Sequence, residues 1–179
     1  MGYASEHGST RGVAESLGNR LRELGHQVDV RPVDEKLETD GYDAFVLGSA
    51  IHSGAWMPAA ADFVRARSDE LCTRPVWFFS VGLARVVGGW FEEHAAEPKQ
   101  LPELRRAVRP RGHWLFAGAL EREHIPAVGR VIYRLMGGRY GDFRDWEEVH
   151  AWALEIALDL AEHSEAELRR SADTRRLLP

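Results

Sequence analysis

The chain has 179 residues, of which 44% are hydrophobic and 28% are charged, and these proportions are typical of a soluble globular protein with one domain. The net charge of −5 argues against general nucleic-acid binding, and the single cysteine excludes an intramolecular disulfide framework. The sequence has no apolar run of membrane-spanning length and no signal peptide before its first motif, so we expect a cytoplasmic protein.

Helical and strand-like patterns alternate along the chain. The apolar residues Val13, Ala14, Leu17, Leu21 and Leu24 recur at helical spacing and predict a helix that follows the first loop and that Gly25 ends. The later patterns predict strands over 27–33, 42–48, 75–81 and 113–120, and helices over 57–71, 102–108 and from Asp145 to about His163. Strands that alternate with helices form a parallel sheet with helices on both faces. We therefore expect a doubly wound α/β fold over residues 1–163, followed by a charged tail over 164–179.

The first strand of this sheet is short in the sequence. Only Met1 to Ala4 precede Ser5, whereas a buried central strand usually has about five or six residues. We therefore expect a truncated first strand, and we expect the chain to begin late relative to the strand that such a sheet requires.

The loop after this strand, Ser5 to Thr10, is rich in small and hydroxylated residues, and the first predicted helix follows at once. Unpaired N–H groups at a helix N-terminus bind anions, and a phosphate is the natural guest. The loop has neither the lysine of a nucleotide loop nor the G-x-G-x-x-G pattern of a dinucleotide site. A phosphate monoester held by hydroxyls and amides alone points to flavin mononucleotide (FMN). The alternative is an ordinary loop with a serine or threonine helix cap.

Two further loops leave the ends of predicted strands and begin with small or polar residues. They are Ser49 to Trp56 and Ser80 to Arg85. In parallel sheets, ligands bind beyond the carboxyl ends of the strands, at the point where the strand order reverses. A phosphate loop with two later loops that flank a flat ring is the arrangement of the flavodoxin fold.

Four motifs resemble one family. They are Tyr3-Ala-Ser-Glu-His-Gly-Ser-Thr10, Gly48-Ser-Ala-Ile-His-Ser-Gly-Ala-Trp56, Phe116-Ala-Gly-Ala-Leu120 and Asp145-Trp146. In order and spacing they are similar to those of flavodoxin-like proteins of the menaquinone-dependent protoporphyrinogen IX dehydrogenase type, over nearly the whole chain. The resemblance implies a five-stranded sheet of order 2-1-3-4-5 and bound FMN. It also implies oxidation of protoporphyrinogen IX to protoporphyrin IX in haem biosynthesis, with transfer of electrons to a quinone.

The resemblance assigns site residues by position. The FMN phosphate is expected at Ser5, His7, Gly8, Ser9 and Thr10. The isoalloxazine ring is expected between two loops, with Ser49, Ala50, Ile51, His52, Gly54 and Trp56 on one side and Ser80, Val81, Gly82 and Leu83 on the other. No metal site is expected. The ring itself carries out electron and hydride transfer, so redox chemistry needs no acid–base pair from the protein.

Three of these residues have a second interpretation. His52 is a candidate proton donor near N5 of the flavin, because histidine often serves in that role, or else it is a solvated loop residue. His7 contacts the phosphate through its side chain or only through its backbone. Trp56 stacks on the ring or packs against the helix that follows.

The segment Glu121 to Asp142 interrupts the alternation of strands and helices. Within it, Ile125 to Tyr140 carries an apolar stripe, with arginines off the stripe: Val128, Val131, Ile132, Leu135 and Met136, and Arg130, Arg134 and Arg139. Such a helix would lie peripherally on the inner face of the cell membrane and reach a quinone, and its arginines suit the propionates of a tetrapyrrole. The alternative is a helix packed on its own protein, with a solvated basic face.

The sequence thus supports three functions. The leading one is an FMN-dependent, quinone-linked dehydrogenase of the family named above. The second is a flavodoxin-type electron carrier without a substrate of its own, and the third is a degenerate flavodoxin-like module for protein interaction. Flavin binding separates the third from the others. The segment Glu121–Asp142 separates the first two, because a simple carrier has little use for it.

Overall fold

The computed structural model describes residues 1–34, 37–82, 97–120 and 141–176, and the predictions for Leu83 and Ile125–Tyr140 lie outside these ranges. In chain order the strands are β1 (Gly2–Ala4), β2 (Arg31–Pro32), β3 (Phe45–His52), β4 (Ala55–Trp56), β5 (Val76–Gly82), β6 (Gly112–Ala117), β7 (Ala119–Leu120) and β8 (Gly141–Asp142). The helices are α1 (Ser9–Glu23), α2 (Pro58–Ala66), α3 (Ser68–Leu71), α4 (Leu101–Val108) and α5 (Trp146–Arg176).

Parallel strands form the main sheet in the order β2-β1-β3-β5-β6, and β4 adds an antiparallel strand at the end of β3. Numbered among the parallel strands alone, this order is 2-1-3-4-5, which confirms the prediction. β7 and β8 pair separately as a short antiparallel unit, which we call the ribbon. The strand order reverses between β1 and β3, so the loops after these two strands open on the same crevice.

Helices cover both faces of the sheet, as the sequence predicts. One face packs against α1 and α5, and the other packs against α2, α3 and α4. Consecutive residues of β5 alternate between the two faces: Phe78 belongs to one core cluster and Phe79 to the other, and both are 0% exposed. A strand that is buried on both faces has a continuous apolar sequence, which explains why the strand predicted over 75–81 was recognisable.

The first strand has three residues, which agrees with the short strand expected from the sequence. β2 has two residues, which pair with Gly2 and Tyr3 of β1. A β-strand forms only where a neighbouring backbone pairs with it. The predicted strand over 27–33 is therefore wrong in extent, although Val28 and Val30 still pack against the core.

Three other predicted elements differ in extent. The predicted helix over 57–71 is interrupted at Arg67, whose φ of −111° and ψ of 15° depart from helical values, and it becomes α2 and α3. The predicted strand over 113–120 breaks at Gly118 into β6 and β7. Helix α5 continues into the predicted charged tail and ends at Arg176.

Candidate functional site

The three segments predicted to hold a ligand lie at the carboxyl ends of β1, β3 and β5, which lie side by side in the sheet. The register places Ala4, Ser49 and Ser80 next to one another across these strands. Because the strands are parallel, their carboxyl ends meet at one edge. The tertiary structure thus brings Ser5–Thr10, Ser49–Trp56 and the end of β5 together at the edge where ligands bind in such sheets.

The first loop turns the chain directly into helix α1, which begins at Ser9, so the predicted loop Ser5–Thr10 extends two residues too far. Gly8 is the N-cap residue and has a φ of 84°, a left-handed conformation that glycine adopts without strain. The Ser5 hydroxyl accepts a hydrogen bond from the Gly8 N–H at 3.1 Å and closes the turn within the loop. No side chain of the described residues caps α1, so the alternative of a serine or threonine cap is wrong. The first N–H groups of α1 therefore form an uncapped, electropositive N-terminus.

Thr10, in the first turn of α1, carries a buried hydroxyl that has no hydrogen-bond partner among the described residues. The residue is 1% exposed. Burying a hydroxyl without a partner costs roughly 1–3 kcal/mol. Such a group beside an uncapped helix N-terminus fits a ligand that accepts hydrogen bonds. The donors present in this loop therefore fit the phosphate of FMN.

Ser9, the first residue of α1, has a hydroxyl that is already engaged on one side. Its Oγ accepts a hydrogen bond from the N–H of Ala119 at 2.9 Å. A serine hydroxyl accepts through its oxygen and donates through its proton, so Ser9 still has a proton to donate. The contact ties the start of α1 to the ribbon.

The second loop is a β-hairpin. β3 begins at Phe45 and continues to His52, so the predicted strand over 42–48 is shifted toward the carboxyl end. Ser53 and Gly54 form the turn to β4, with φ values of 51° and 72°. Two consecutive left-handed residues match the tight turns that join antiparallel strands. The Ser53-Gly54 pair is the sequence signal that would have indicated this turn.

Trp56 belongs to the second strand of the hairpin, and its side chain is buried in the core; 1% of the residue's surface is exposed. Its indole N–H donates to Ser80 Oγ at 2.7 Å, and its ring meets the Phe78 ring edge-on, with 5.2 Å between centroids. The Gln100 side chain accepts from the Trp56 N–H at 3.0 Å and donates to the Trp56 carbonyl at 3.2 Å. These contacts favour packing over stacking as the role of Trp56.

Ser80 lies in a buried polar network that the sequence did not reveal. Its Oγ is 2.8 Å from Nε2 of His113, and Nδ1 of His113 is 3.0 Å from Nη2 of Arg105. An arginine only donates, so Nδ1 accepts and the proton of the neutral imidazole sits on Nε2. Ser80 Oγ therefore accepts from both Trp56 and His113. Burial, and to a smaller extent the Arg105 charge, lower the pKa of His113 to about 4, which keeps the imidazole neutral at physiological pH.

The residues predicted at the end of β5 divide into two groups. Ser80 and Val81 are buried in the sheet, where Val81 contributes to the core. Gly82 is the last residue of β5 and lies at the carboxyl end of that strand. A Cβ atom on Gly82 would lie 3.2 Å from Cδ1 of Ile51. Glycine at this position therefore allows the close approach of the hairpin. Leu83 lies outside the described residues.

Glu6 links the first two loops at the surface. Its carboxylate lies 3.3 Å from Nδ1 of His52 and 3.9 Å from Nε2 of His7. The His52 side chain is 70% exposed, so it stays in contact with solvent. Sequence reasoning assigned no role to Glu6, although it lies within the first motif, and it missed His113, which belongs to none of the four motifs.

The match of the chain to known proteins agrees with this geometry. Residues 1–143 match the model of the Flavodoxin domain family. The protoporphyrinogen IX dehydrogenase (quinone) of Escherichia coli K12 is 30% identical over 176 residues, which cover 87% of this chain and 92% of that protein. The protein of the same name from Escherichia coli O157:H7 matches with the same values.

Solved structures share the fold at low identity. Flavodoxin 1 from Bacillus cereus has a TM-score of 0.56 at 17% identity and covers 87% of this chain and 93% of its own. A flavodoxin from the domain Archaea has a TM-score of 0.53 at 16% identity, with coverage of 89% and 96%. The rubredoxin oxygen:oxidoreductase of Desulfovibrio gigas has a TM-score of 0.59 at 16% identity; 90% of this chain matches, and it spans 35% of that longer chain. The chain belongs to the Flavodoxin domain family, and this membership implies that it binds a flavin, typically FMN.

Proposed function

We propose that this protein is an FMN-dependent dehydrogenase that oxidises protoporphyrinogen IX to protoporphyrin IX and passes the electrons to a quinone. The observation that carries the proposal is the 30% identity to the Escherichia coli dehydrogenase of that name, over 87% of this chain. The geometry supports the flavin part, through the unpartnered Thr10 hydroxyl in the first turn of an uncapped helix. A fold alone does not determine a substrate, so the porphyrinogen and the quinone each need a direct test.

The part of the protein in this function is to hold and orient the cofactor. FMN supplies the electron and hydride transfer when it is bound. The N-terminus of α1 and the hydroxyls of Ser9 and Thr10 would hold the phosphate, because their N–H and O–H protons find an acceptor there. The hairpin would flank the ring on one side and Gly82 on the other.

The hairpin is held from below, which suits a surface that orients a flat ring. Trp56 anchors the returning strand through the buried network described above. The Met57 N–H donates to Ser49 Oγ at 2.9 Å at the base of the hairpin. His52, near the tip, remains our candidate for proton donation to the ring, with its Nδ1 at 3.3 Å from the Glu6 carboxylate.

The decisive experiment is anaerobic. The FMN-loaded protein is mixed with protoporphyrinogen IX and then with a menaquinone analogue, while the flavin absorbance is recorded. We expect the absorbance to bleach with the porphyrinogen and to recover with the quinone, with protoporphyrin IX as the product. A flavin that dithionite reduces but porphyrinogen does not would refute the substrate. A protein that binds no FMN would refute the flavin assignment and favour the interaction module.

An electron carrier without a substrate is the second candidate, and one observation favours it. Two flavodoxins match this chain over 93% and 96% of their own lengths. The inserted segment distinguishes the two candidates. Deletion of Val128–Met136 should abolish quinone-coupled porphyrinogen oxidation and leave FMN binding intact. If both properties survive the deletion, the carrier is the better description.

We also propose that Ile125–Tyr140 contacts the membrane in which the quinone resides. The support is its sequence, an apolar stripe with arginines beside it. Among the described residues, no helix combines the length and the apolar character needed to cross a bilayer. Sedimentation with anionic lipid vesicles tests the contact, because the Val128–Met136 deletion should reduce the bound fraction. Equal binding of both proteins would refute it.

A further inference from the structure

The Ser9 hydroxyl fastens the ribbon to the phosphate loop. Its Oγ accepts a hydrogen bond from the N–H of Ala119, a residue 110 positions further along the chain, at 2.9 Å. Ala119 begins β7, whose partner β8 lies on the other side of residues 121–140 in the sequence. In the sequence, β7 therefore precedes residues 121–140 and β8 follows them. β7 is hydrogen-bonded through Ala119 to Ser9, the first residue of α1.

Gly118 makes this close approach possible. Its N–H donates to the Gly82 carbonyl at 3.0 Å, and its carbonyl accepts from the Phe143 N–H at 3.3 Å. A Cβ atom on Gly118 would lie 3.3 Å from Ser9 Oγ and 3.3 Å from Cγ1 of Val81. Both strands of the ribbon are thus anchored at the junction between the sheet edge and the phosphate loop.

The Ser9 hydroxyl can still donate one hydrogen bond. Its oxygen already accepts from Ala119, and the structure gives its proton no acceptor among the described residues. A phosphate at the N-terminus of α1 would be such an acceptor. A hydroxyl that donates a hydrogen bond becomes a better acceptor, because hydrogen bonds in a chain polarise one another. Occupancy of the phosphate site would therefore strengthen the bond between Ser9 and Ala119.

We propose that Ser9 is a positioning residue that couples the phosphate site to the ribbon. A bound phosphate monoester tightens the Ser9–Ala119 bond and thereby the attachment of the ribbon to α1. The inference rests on the proposed binding of FMN and deepens it. The FMN-loaded protein then differs from the flavin-free protein at the ribbon as well as in the crevice.

Hydrogen–deuterium exchange at the Ala119 amide tests this coupling. The flavin-free protein is compared with the same protein in FMN, in riboflavin and in inorganic phosphate. Riboflavin is the matched ligand, because it has the ring of FMN without the phosphate. We expect FMN and inorganic phosphate to slow Ala119 exchange by roughly threefold or more, since the N–H acceptor is strengthened, and riboflavin to leave it unchanged.

Three variants separate coupling from general stabilisation. In Ser9→Ala, neither FMN nor inorganic phosphate should slow exchange at Ala119. Ser9→Thr keeps the hydroxyl and should restore the response. Ser16→Ala removes a hydroxyl on the same helix, one that contacts His150 at 3.1 Å, and should behave like the unaltered protein.

The outcomes distinguish this inference from the proposed function. An FMN response of equal size in Ser9→Ala, or an equal response to riboflavin, overturns the coupling. Failure to bind FMN, measured in parallel by quenching of flavin fluorescence, overturns the proposed function instead. The inorganic phosphate samples still decide the coupling in that case, because absence of a slower Ala119 exchange there overturns it as well.

Discussion

The indole Nε1 of Trp56 and the hydroxyl oxygen of Ser80 lie 2.7 Å apart in the interior of the protein. This hydrogen bond joins the returning strand of the hairpin to β5, the next strand of the sheet. His113 donates to the same oxygen from β6. The position of the hairpin therefore depends on one buried hydroxyl that receives two donors, and each partner can be removed separately.

Replacing Trp56 with phenylalanine removes the indole N–H and part of the packed volume. We expect the free energy of unfolding to fall by about 1–3 kcal/mol, because a buried hydrogen bond and core contacts are lost together. Trp146→Phe is the matched control, since Trp146 is 38% exposed, whereas Trp56 is 1% exposed. The control should cost less than about 0.5 kcal/mol in urea denaturation. Equal losses at the two positions would contradict the role assigned to Trp56.

Replacing Thr10 with valine should have opposite effects on stability and on binding. The buried hydroxyl has no partner among the described residues, so its removal should leave the flavin-free protein equally stable, or more stable by up to about 1 kcal/mol. The affinity for FMN should fall by about tenfold or more, because a donor to the phosphate is lost. The affinity for riboflavin should stay the same. A loss of stability without a loss of FMN affinity would show that the hydroxyl serves the fold instead.

Replacing Glu6 with glutamine should strengthen FMN binding. The carboxylate lies in the loop that we propose to hold the phosphate, where it would repel a phosphate dianion as well as pair with His52. We expect the Kd for FMN to fall by about twofold to fivefold at low salt, and the gain to shrink at high salt, because the charge is screened. Riboflavin affinity should not change. Glu23→Gln, at the other end of α1, is the control of equal charge change, and an equal gain there would show only an effect of net charge.

The buried His113 makes stability depend on pH in a definite direction. Its pKa is lowered from 6.5 to about 4 by burial and by the Arg105 charge. Between these values the unfolded chain binds a proton that the folded protein does not, so the free energy of unfolding falls as the pH drops below 6.5. The loss is about 3 kcal/mol at most. Carboxyls with lowered pKa values, such as Glu70 and Glu103, contribute mainly below their ordinary 4.5.

Urea denaturation between pH 4.5 and 6.5 measures the His113 effect, because this range lies between the ordinary pKa of glutamate and that of histidine. In His113→Gln the stability should change less steeply with pH across this range. In Arg105→Met the pKa of His113 should rise but stay below 6.5, because burial is the larger cause of its lowering. Titration of the imidazole by nuclear magnetic resonance follows the second effect. A slope that His113→Gln leaves unchanged would contradict the assignment.

Local patterns predicted the sheet well where a strand is buried on both faces. The apolar run that became β5 needed no information from elsewhere in the chain. Neither did the start of the last helix at Asp145, whose Oδ1 accepts from the N–H groups of Glu147 and Glu148. The extent of β2 was beyond such patterns, because it depends on which of its residues pair with β1, a strand distant in the sequence.

The sequence by itself determined the strand order and the family, because periodicity and short motifs are local properties of the chain. Only the tertiary structure decided which predicted site residues lie at the surface, at the carboxyl ends of the strands, and which are buried. It placed Trp56 and Ser80 in the core and brought Glu6 to His52. It also joined Ser9 to Ala119 across 110 positions of sequence. Contacts of this kind depend on the packing of several elements at once, and no single segment of the sequence encodes them.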